Sequence, residues 1–526
     1  MAGCGSREPL PAEPHAGSSG ASDATLRRGL GGDVATFDPQ KAGDQYSDQV
    51  ARELFEGLTA HGADGQLVPG AAESWEVSDD GLAYTFRLRD GLVWSNGEPV
   101  VADDFVAGLR RAVTPATGAP LADSMQPVEN AGQVLRGELA PEKLGVSAPD
   151  PRTVVVRLVR PAPYLLDLLA NPIAFPVHRG SLAADGTAPT APGRLVSNGP
   201  YVLERVLPGD RITLVRNARY RDAAGVAVAR VEYFPIADVN AELLRYRAGE
   251  LDMTSTLPAS QLEWARRERP MELQIGPMQA IAYVVFDTAE GVLAGRPELR
   301  EALSLVIDRE AITGQVLKAG QLPWYSMVPP GLGGYEPVKY AWAGEGAKAR
   351  SARARGLLAA AGYGPAKPLK LRFLHHQNES LRNTALAIGG LWKEHLGVEV
   401  SFDEREFRTF LEMRGERGTW DVLITALGAS YQDPGTFLST FRGGAPDNDS
   451  GLKDAEFDSL LTRAEATAEP AARRAAFSAA EERLLDAYAA TPVYLLVSRR
   501  MVAPRVRGAV ITPTPTVVRY ISLNSR

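Results

Sequence analysis

The stretch YTFRLRDGLVWSNGEPVVADDF, Tyr84–Phe105, carries the signals from which the fold can be read. Tyr84, Phe86 and Leu88 alternate with Thr85, Arg87 and Arg89, the period of a strand with one wet face. Asp90-Gly91 closes that strand. Ser95-Asn96-Gly97 supplies a tight turn that needs positive φ, which Asn-Gly adopts at little cost. Ala102-Asp103-Asp104-Phe105 then starts a helix with carboxylates beside its positive end. Trp94, between turn and strand, reads as a core residue. Asp103 and Asp104 read as helix-start acids in preference to a metal- or proton-handling pair.

The same grammar continues outward. RTVVVRLV (Arg152–Val159), DRITLVRN (Asp210–Asn217) and PLKLRFL (Pro368–Leu374) each follow a break containing Pro or Gly and read as strands. In RPELREALSLVIDREAI (Arg296–Ile312), Leu299, Leu303, Val306 and Ile307 form one apolar stripe, and Pro297 sits where a first helical turn tolerates it. TALAIGGLWKEHLG (Thr384–Gly397) ends on Gly397 after Lys393 and His395, as a helix C-terminus should. From Glu469 to Tyr488, Phe477, Leu484 and Tyr488 share a face. Strands and helices alternating irregularly make an α/β chain of several lobes.

At 526 residues the chain has room for about two to four domains. Its 44% hydrophobic and 23% charged residues suit large cores. A net charge of −7 and a pI near 5.6 argue against nucleic acid as a partner, because no basic face is available for phosphates. No apolar run approaches the roughly 18 residues that span a bilayer. Arg outnumbers Lys, and Ala and Gly abound, a skew that fits a high-GC genome. The lone cysteine, Cys4, excludes an internal disulfide or a Cys-based zinc site. Ala2-Gly3-Cys4 resembles the end of a bacterial lipobox, whose Cys is lipidated. Residues 5–24, rich in Gly, Ser, Pro and Ala, read as a flexible tether.

Catalysis finds little footing. No G-x-S-x-G, H-E-x-x-H or phosphate loop occurs, so a peptide hydrolase is the weaker alternative. Of six histidines only His375 and His376 adjoin, on a strand that points them to opposite faces, a poor arrangement for one metal ion. Trp75, Trp324, Trp392 and Trp420 read as core before they read as sugar-stacking platforms.

Taken together, these stretches identify a family. TFDPQKA (Thr36–Ala42) is followed by ARELFEGL, LVPGAAESW and the Tyr84–Phe105 stretch. SNGPYVL (Ser197–Leu203), RYRAGELDM (Arg245–Met253), LREALSLVIDREAI (Leu299–Ile312) and ATPVYLLV (Ala490–Val497) follow in order. From about Thr36 to Arg505 the chain resembles the extracytoplasmic solute-binding proteins of ABC importers, in the peptide/nickel class typified by oligopeptide-binding proteins. The resemblance implies a periplasmic-binding-protein-like fold of class II, in its large three-domain form, with a ligand cleft between two lobes. It implies a discontinuous domain I of residues 25–56, 176–277 and 495–526, domain II of 57–175 and domain III of 278–494. It also implies a monomer without cofactor, partnered by membrane permease subunits; the lipobox-like Cys4 and the tether after it add the expectation of a lipid anchor at the outer face of the membrane. Relatives of this kind sometimes accompany antibiotic gene clusters.

Peptide-binding members of that family hold the peptide as an added strand. Carried over by resemblance, the ligand-contacting positions are Asp44, Gln45, Leu121, Gln279, Tyr283, Phe407, Arg414, Leu427, Gly428, Ser430 and Tyr431. The pattern departs at several of them. Where peptide binders carry a Trp-Cys-Ala-Asp run whose Asp meets the peptide amine, this chain has Leu427-Gly428-Ala429-Ser430, followed by Tyr431 and Pro434. Leu121 replaces a cleft Tyr, Phe407 a Trp and Leu381 a His, while Arg414 matches a cleft Arg. Ser430 cannot neutralise an amine. Either another acid does so, with Asp44 the nearest candidate, or the ligand is a modified amino acid or a peptide-like metabolite. Nickel or sugar binding by the same fold is the remaining alternative.

Overall fold

The computed structural model describes residues 25–512 and 514–524. Cys4 and the tether therefore lie outside the described residues.

The opening stretch shows how its residues build the first lobe. In the strand Ala83–Leu88, Tyr84, Phe86 and Leu88 are buried. Gly97 has φ +95°, the conformation its turn requires. Trp94 is fully buried, and its indole N–H donates to Asp104 Oδ2 at 3.1 Å. Asp104 also accepts from the Val101 backbone at 3.0 Å and from Arg179 Nε at 2.9 Å. A single helix-start carboxylate thus ties the Trp94 loop, the helix Ala102–Val113 and the chain near residue 179 together.

Two four-stranded sheets form this lobe. In the first, Thr25–Gly29 pairs in parallel with Arg230–Phe234, which continues antiparallel to Arg211–Arg216 and then to Tyr201–Leu207. The second is an antiparallel set in the order Ala72–Val77, Ala83–Leu88, Thr153–Arg157, Val146–Asp150. One apolar cluster, including Leu26, Trp94, Phe105, Tyr201, Tyr233 and Ile521, runs through both.

The other lobe is built on a six-stranded mixed sheet, ordered Leu322–Pro323, Ala490–Met501, Leu273–Phe286, Val422–Gly428, Lys370–His376, Glu399–Arg405. Its separate core holds Phe286, Phe373, Trp392 and Trp420. The helix Glu379–Leu396 packs on this sheet and ends at Gly397 with φ +69°, whose N–H returns to Lys393 O at 3.0 Å.

Two strands carry the chain between lobes. Leu273–Phe286 and Ala490–Met501 pair antiparallel, with their inner residues in the second core. At the opposite end Leu273 and Met501 pack with Phe234 and Tyr246 of the first lobe. Their register slips between Pro277 and Ile281. The ladder is interrupted there, and interruptions of this kind are where strands bend.

One sequence expectation needs refinement. Leu299, Leu303, Val306 and Ile307 are all buried as one stripe, but the helix stops at Leu305. Asp308 accepts from Ala311 N at 2.8 Å and caps a new short helix that leads into the π-helical turn Ile312–Leu317. An internal N-cap divides a run that apolar spacing alone would join.

Candidate ligand cleft

The strand Val422–Gly428 has two unlike edges. One pairs with the long Leu273–Phe286 strand along its whole length, from Val422↔Phe286 to Gly428↔Ala280. The other pairs with Lys370–His376 only at Val422 and Leu423. From Ile424 onward that edge has no strand neighbour among the described residues, so its backbone donors and acceptors are available to an incoming chain. The chain leaving the strand is held from behind. Ala429 N donates to Gln279 O at 2.8 Å, and Ser430 N donates to Thr436 Oγ1 at 3.0 Å. Gly428 and Ser430 are exposed, Leu427 half-buried.

The residues expected to line the site fall into several environments. Gln279 forms a reciprocal amide pair with Gln432, at 2.8 Å and 2.5 Å, and is buried. It shapes the loop after Gly428 with both its main chain and its side chain. Tyr431 stacks on Tyr164 of the first lobe, ring centroids 4.3 Å apart, and burial pushes its phenol pKa up. Asp433, the acid nearest to Ser430 in sequence, is taken by Arg473, whose Nη2 and Nε lie 2.8 and 3.1 Å from Oδ2. Burial outweighs the Arg473 charge and holds this carboxyl above its ordinary pKa. Asp44 caps the helix Gln45–Leu54, accepting from Tyr46 N and Ser47 N at 2.9 Å and from Ser47 Oγ at 2.6 Å. Gln45 is exposed beside it. Gly43 abuts Pro120, which brings the Asp44 corner against the exposed Leu121.

Arg414 and Tyr283 share a second corner. Arg414 grips Asp449 with Nε and Nη2, each at 2.8 Å, so its charge is met within the chain. Tyr283 packs edge-on against Phe441 and is buried, its phenol pKa raised by desolvation and by the Asp449 charge. Phe407 opens the helix Phe407–Arg414 and is exposed, its ring 5.1 Å from that of His376.

Beside the open strand edge is a cavity of about 370 Å³ lined by residues that include Gln321, His376, Leu381, Ala426, Tyr494 and Arg499. Leu381 and His376 belong to one side of it, the strand Ala490–Met501 to the other. Burial, and then the neighbouring His375, hold the His376 pKa below its ordinary value. His375 faces another environment, edge-on to Phe402. Among the described residues no group of three or more His, Cys, Asp and Glu stands close enough to hold a metal ion. Gln321, Gln432, Tyr164 and Arg499 escaped the sequence reading. Nothing local marks them, because each gains its place from a segment distant in the chain.

The profile of bacterial extracellular solute-binding proteins, family 5 (middle), matches residues 66–449. The periplasmic murein peptide-binding protein of Escherichia coli is 33% identical over 511 residues, covering 97% of this chain and 94% of that protein. A murein tripeptide binding protein in its unliganded open form superposes with a TM-score of 0.87 at 32% identity, over 96% of this chain and 98% of the other. Haemophilus influenzae OppA in complex with RPPGFSPFR gives a TM-score of 0.74 at 31% identity, over 95% and 99% of the chains.

Proposed function

Because the chain belongs to the family 5 bacterial extracellular solute-binding proteins, we propose that it captures peptides, or peptide-like solutes derived from amino acids, outside the cell membrane for an ABC importer. The observation that carries this reading is the open edge of the Val422–Gly428 strand at the mouth of the cleft. An extended peptide laid along it gains main-chain hydrogen bonds whatever its side chains are, which suits a carrier of varied peptides. The murein peptides and oligopeptides in the names of its relatives favour the same ligand class.

The lobes then close on the ligand about the two crossing strands, where the register slips between Pro277 and Ile281. The higher TM-score to the unliganded open form than to the OppA complex supports an open, receptive arrangement here. Closure removes the peptide from water and creates the shape that the permease subunits recognise. The three-domain division expected from sequence gives the moving parts, 278–494 against the remainder. A lipid on Cys4 and the tether that follows would hold the protein at the outer face of the membrane. No covalent step enters this mechanism.

Native mass spectrometry of the protein purified from its own host tests the ligand class. A bound mass that fragments as a peptide or amino-acid conjugate is the expected result. A sugar or a metal ion as the sole bound species overturns the reading.

A further inference from the structure

One cation beside the open strand edge has no counter-charge among the described residues. Arg499 projects from the strand Ala490–Met501 where it crosses between lobes. Its Nε donates to Leu257 O at 2.7 Å, and its Nη1 lies 3.4 Å from Ala319 O, so both anchors are neutral carbonyls. Desolvation holds its guanidinium below its ordinary pKa, and among the described residues no carboxylate opposes the effect. Arg414 is the contrasting case, since Asp449 already meets its charge.

Leu381, Leu496 and Val497 give the cavity apolar walls, and a lower local dielectric beside them strengthens a charge pair formed inside. Ala426, on the open strand edge, lines the same space. A peptide added to that edge points alternate side chains to one face, and so can send one group into the cavity.

Resting on the peptide reading of the cleft, we propose that this cavity is a subsite for a ligand carboxylate, met by Arg499. The carboxylate belongs either to an acidic side chain or to the C-terminus of the ligand.

Isothermal titration of wild type, Arg499→Gln and Arg499→Lys with matched peptides tests the assignment. The probes are Glu-Ala-Ala, Ala-Glu-Ala and Ala-Ala-Glu with their Gln twins, and Ala-Ala-Ala with its C-terminal amide. In wild type at least one pair should favour the carboxylate by about tenfold or more. Arg499→Gln should shrink that preference to within about twofold, and Arg499→Lys should keep much of it. Response of a Glu/Gln pair assigns the subsite to a side chain, and response of the acid/amide pair assigns it to the C-terminus. Binding without carboxylate preference in any pair, or a preference untouched by Arg499→Gln, overturns the subsite and leaves the peptide reading standing. Failure of every peptide to bind overturns both. The wild-type comparison needs no variant, so the proposal stays refutable even where Arg499→Gln does not fold.

Discussion

Ser430→Asp is the most informative single change in the cleft. Ser430 is exposed at the open end of the Val422–Gly428 strand, with its backbone fixed by Thr436. A hydroxyl there accepts a hydrogen bond from a ligand amine but supplies no charge. The two candidate acids are engaged: Asp433 pairs with Arg473, and Asp44 caps a helix through three hydrogen bonds. A carboxylate placed about 4 Å from an ammonium group is worth about 1 kcal/mol in water and about 4 kcal/mol at the effective dielectric of a protein surface. A closed but wet cleft lies between these limits. Ser430→Asp should therefore strengthen the binding of free-amine tri- to pentapeptides by about 2 kcal/mol, roughly thirtyfold. Their N-acetylated twins should gain nothing. Isothermal titration of both peptide forms against wild type, Ser430→Asp and Asp44→Asn makes the comparison. Asn retains the helix cap, so the last variant removes charge while sparing the fold. Tight wild-type binding that requires the free amine and is erased in Asp44→Asn would refute the reasoning, because Asp44 would then already hold the amine.

Three further outcomes are expected, the first from the sequence and the other two from the structure. Expressed at full length in a bacterial host, wild type should sediment with membranes and Cys4→Ala should be released; equal release of both removes the lipid anchor. Trp94→Ala should cost about 4 kcal/mol in urea unfolding at unchanged m, since it empties a fully buried site and removes the indole bond to the Asp104 carboxylate; a loss below about 1 kcal/mol contradicts this. Glu53 is wholly buried among Val518 N, Tyr233 Oη and Gln49 Nε2, and burial pushes its pKa up from 4.5 to about 7. The folded state thus holds its proton more tightly than the unfolded chain, so this contribution is complete below pH 4.5 and is lost as pH rises through 7. Relative to Glu53→Gln, wild type should lose about 3 kcal/mol of stability across that window. Parallel pH profiles of the two proteins would show that Glu53 does not titrate in this way.

The sequence was most legible where one short segment determines its own environment. Tyr84–Phe105 announces a strand, a positive-φ turn and a helix start, and the Trp94–Asp104 bond joins residues of that same segment. The C-terminus of the helix ending at Gly397 was legible for the same reason. By contrast, Arg414 looked available for a ligand because its partner Asp449 lies far along the chain. Gln279 read as a cleft residue, yet its amide is held by Gln432. The cavity gathers Gln321, His376 and Arg499 from three segments. Spacing within one segment cannot report such meetings; they are set by how the six strands of the second lobe are ordered.

The claim on which the rest depends is that the lobes close on a peptide held at the open strand edge. Small-angle X-ray scattering, on samples whose saturation is fixed by calorimetry, measures closure directly. The radius of gyration should fall when a bound peptide saturates the protein and stay unchanged with a peptide that does not bind. A protein saturated with peptide whose scattering profile is the same as that of the free form would contradict the account.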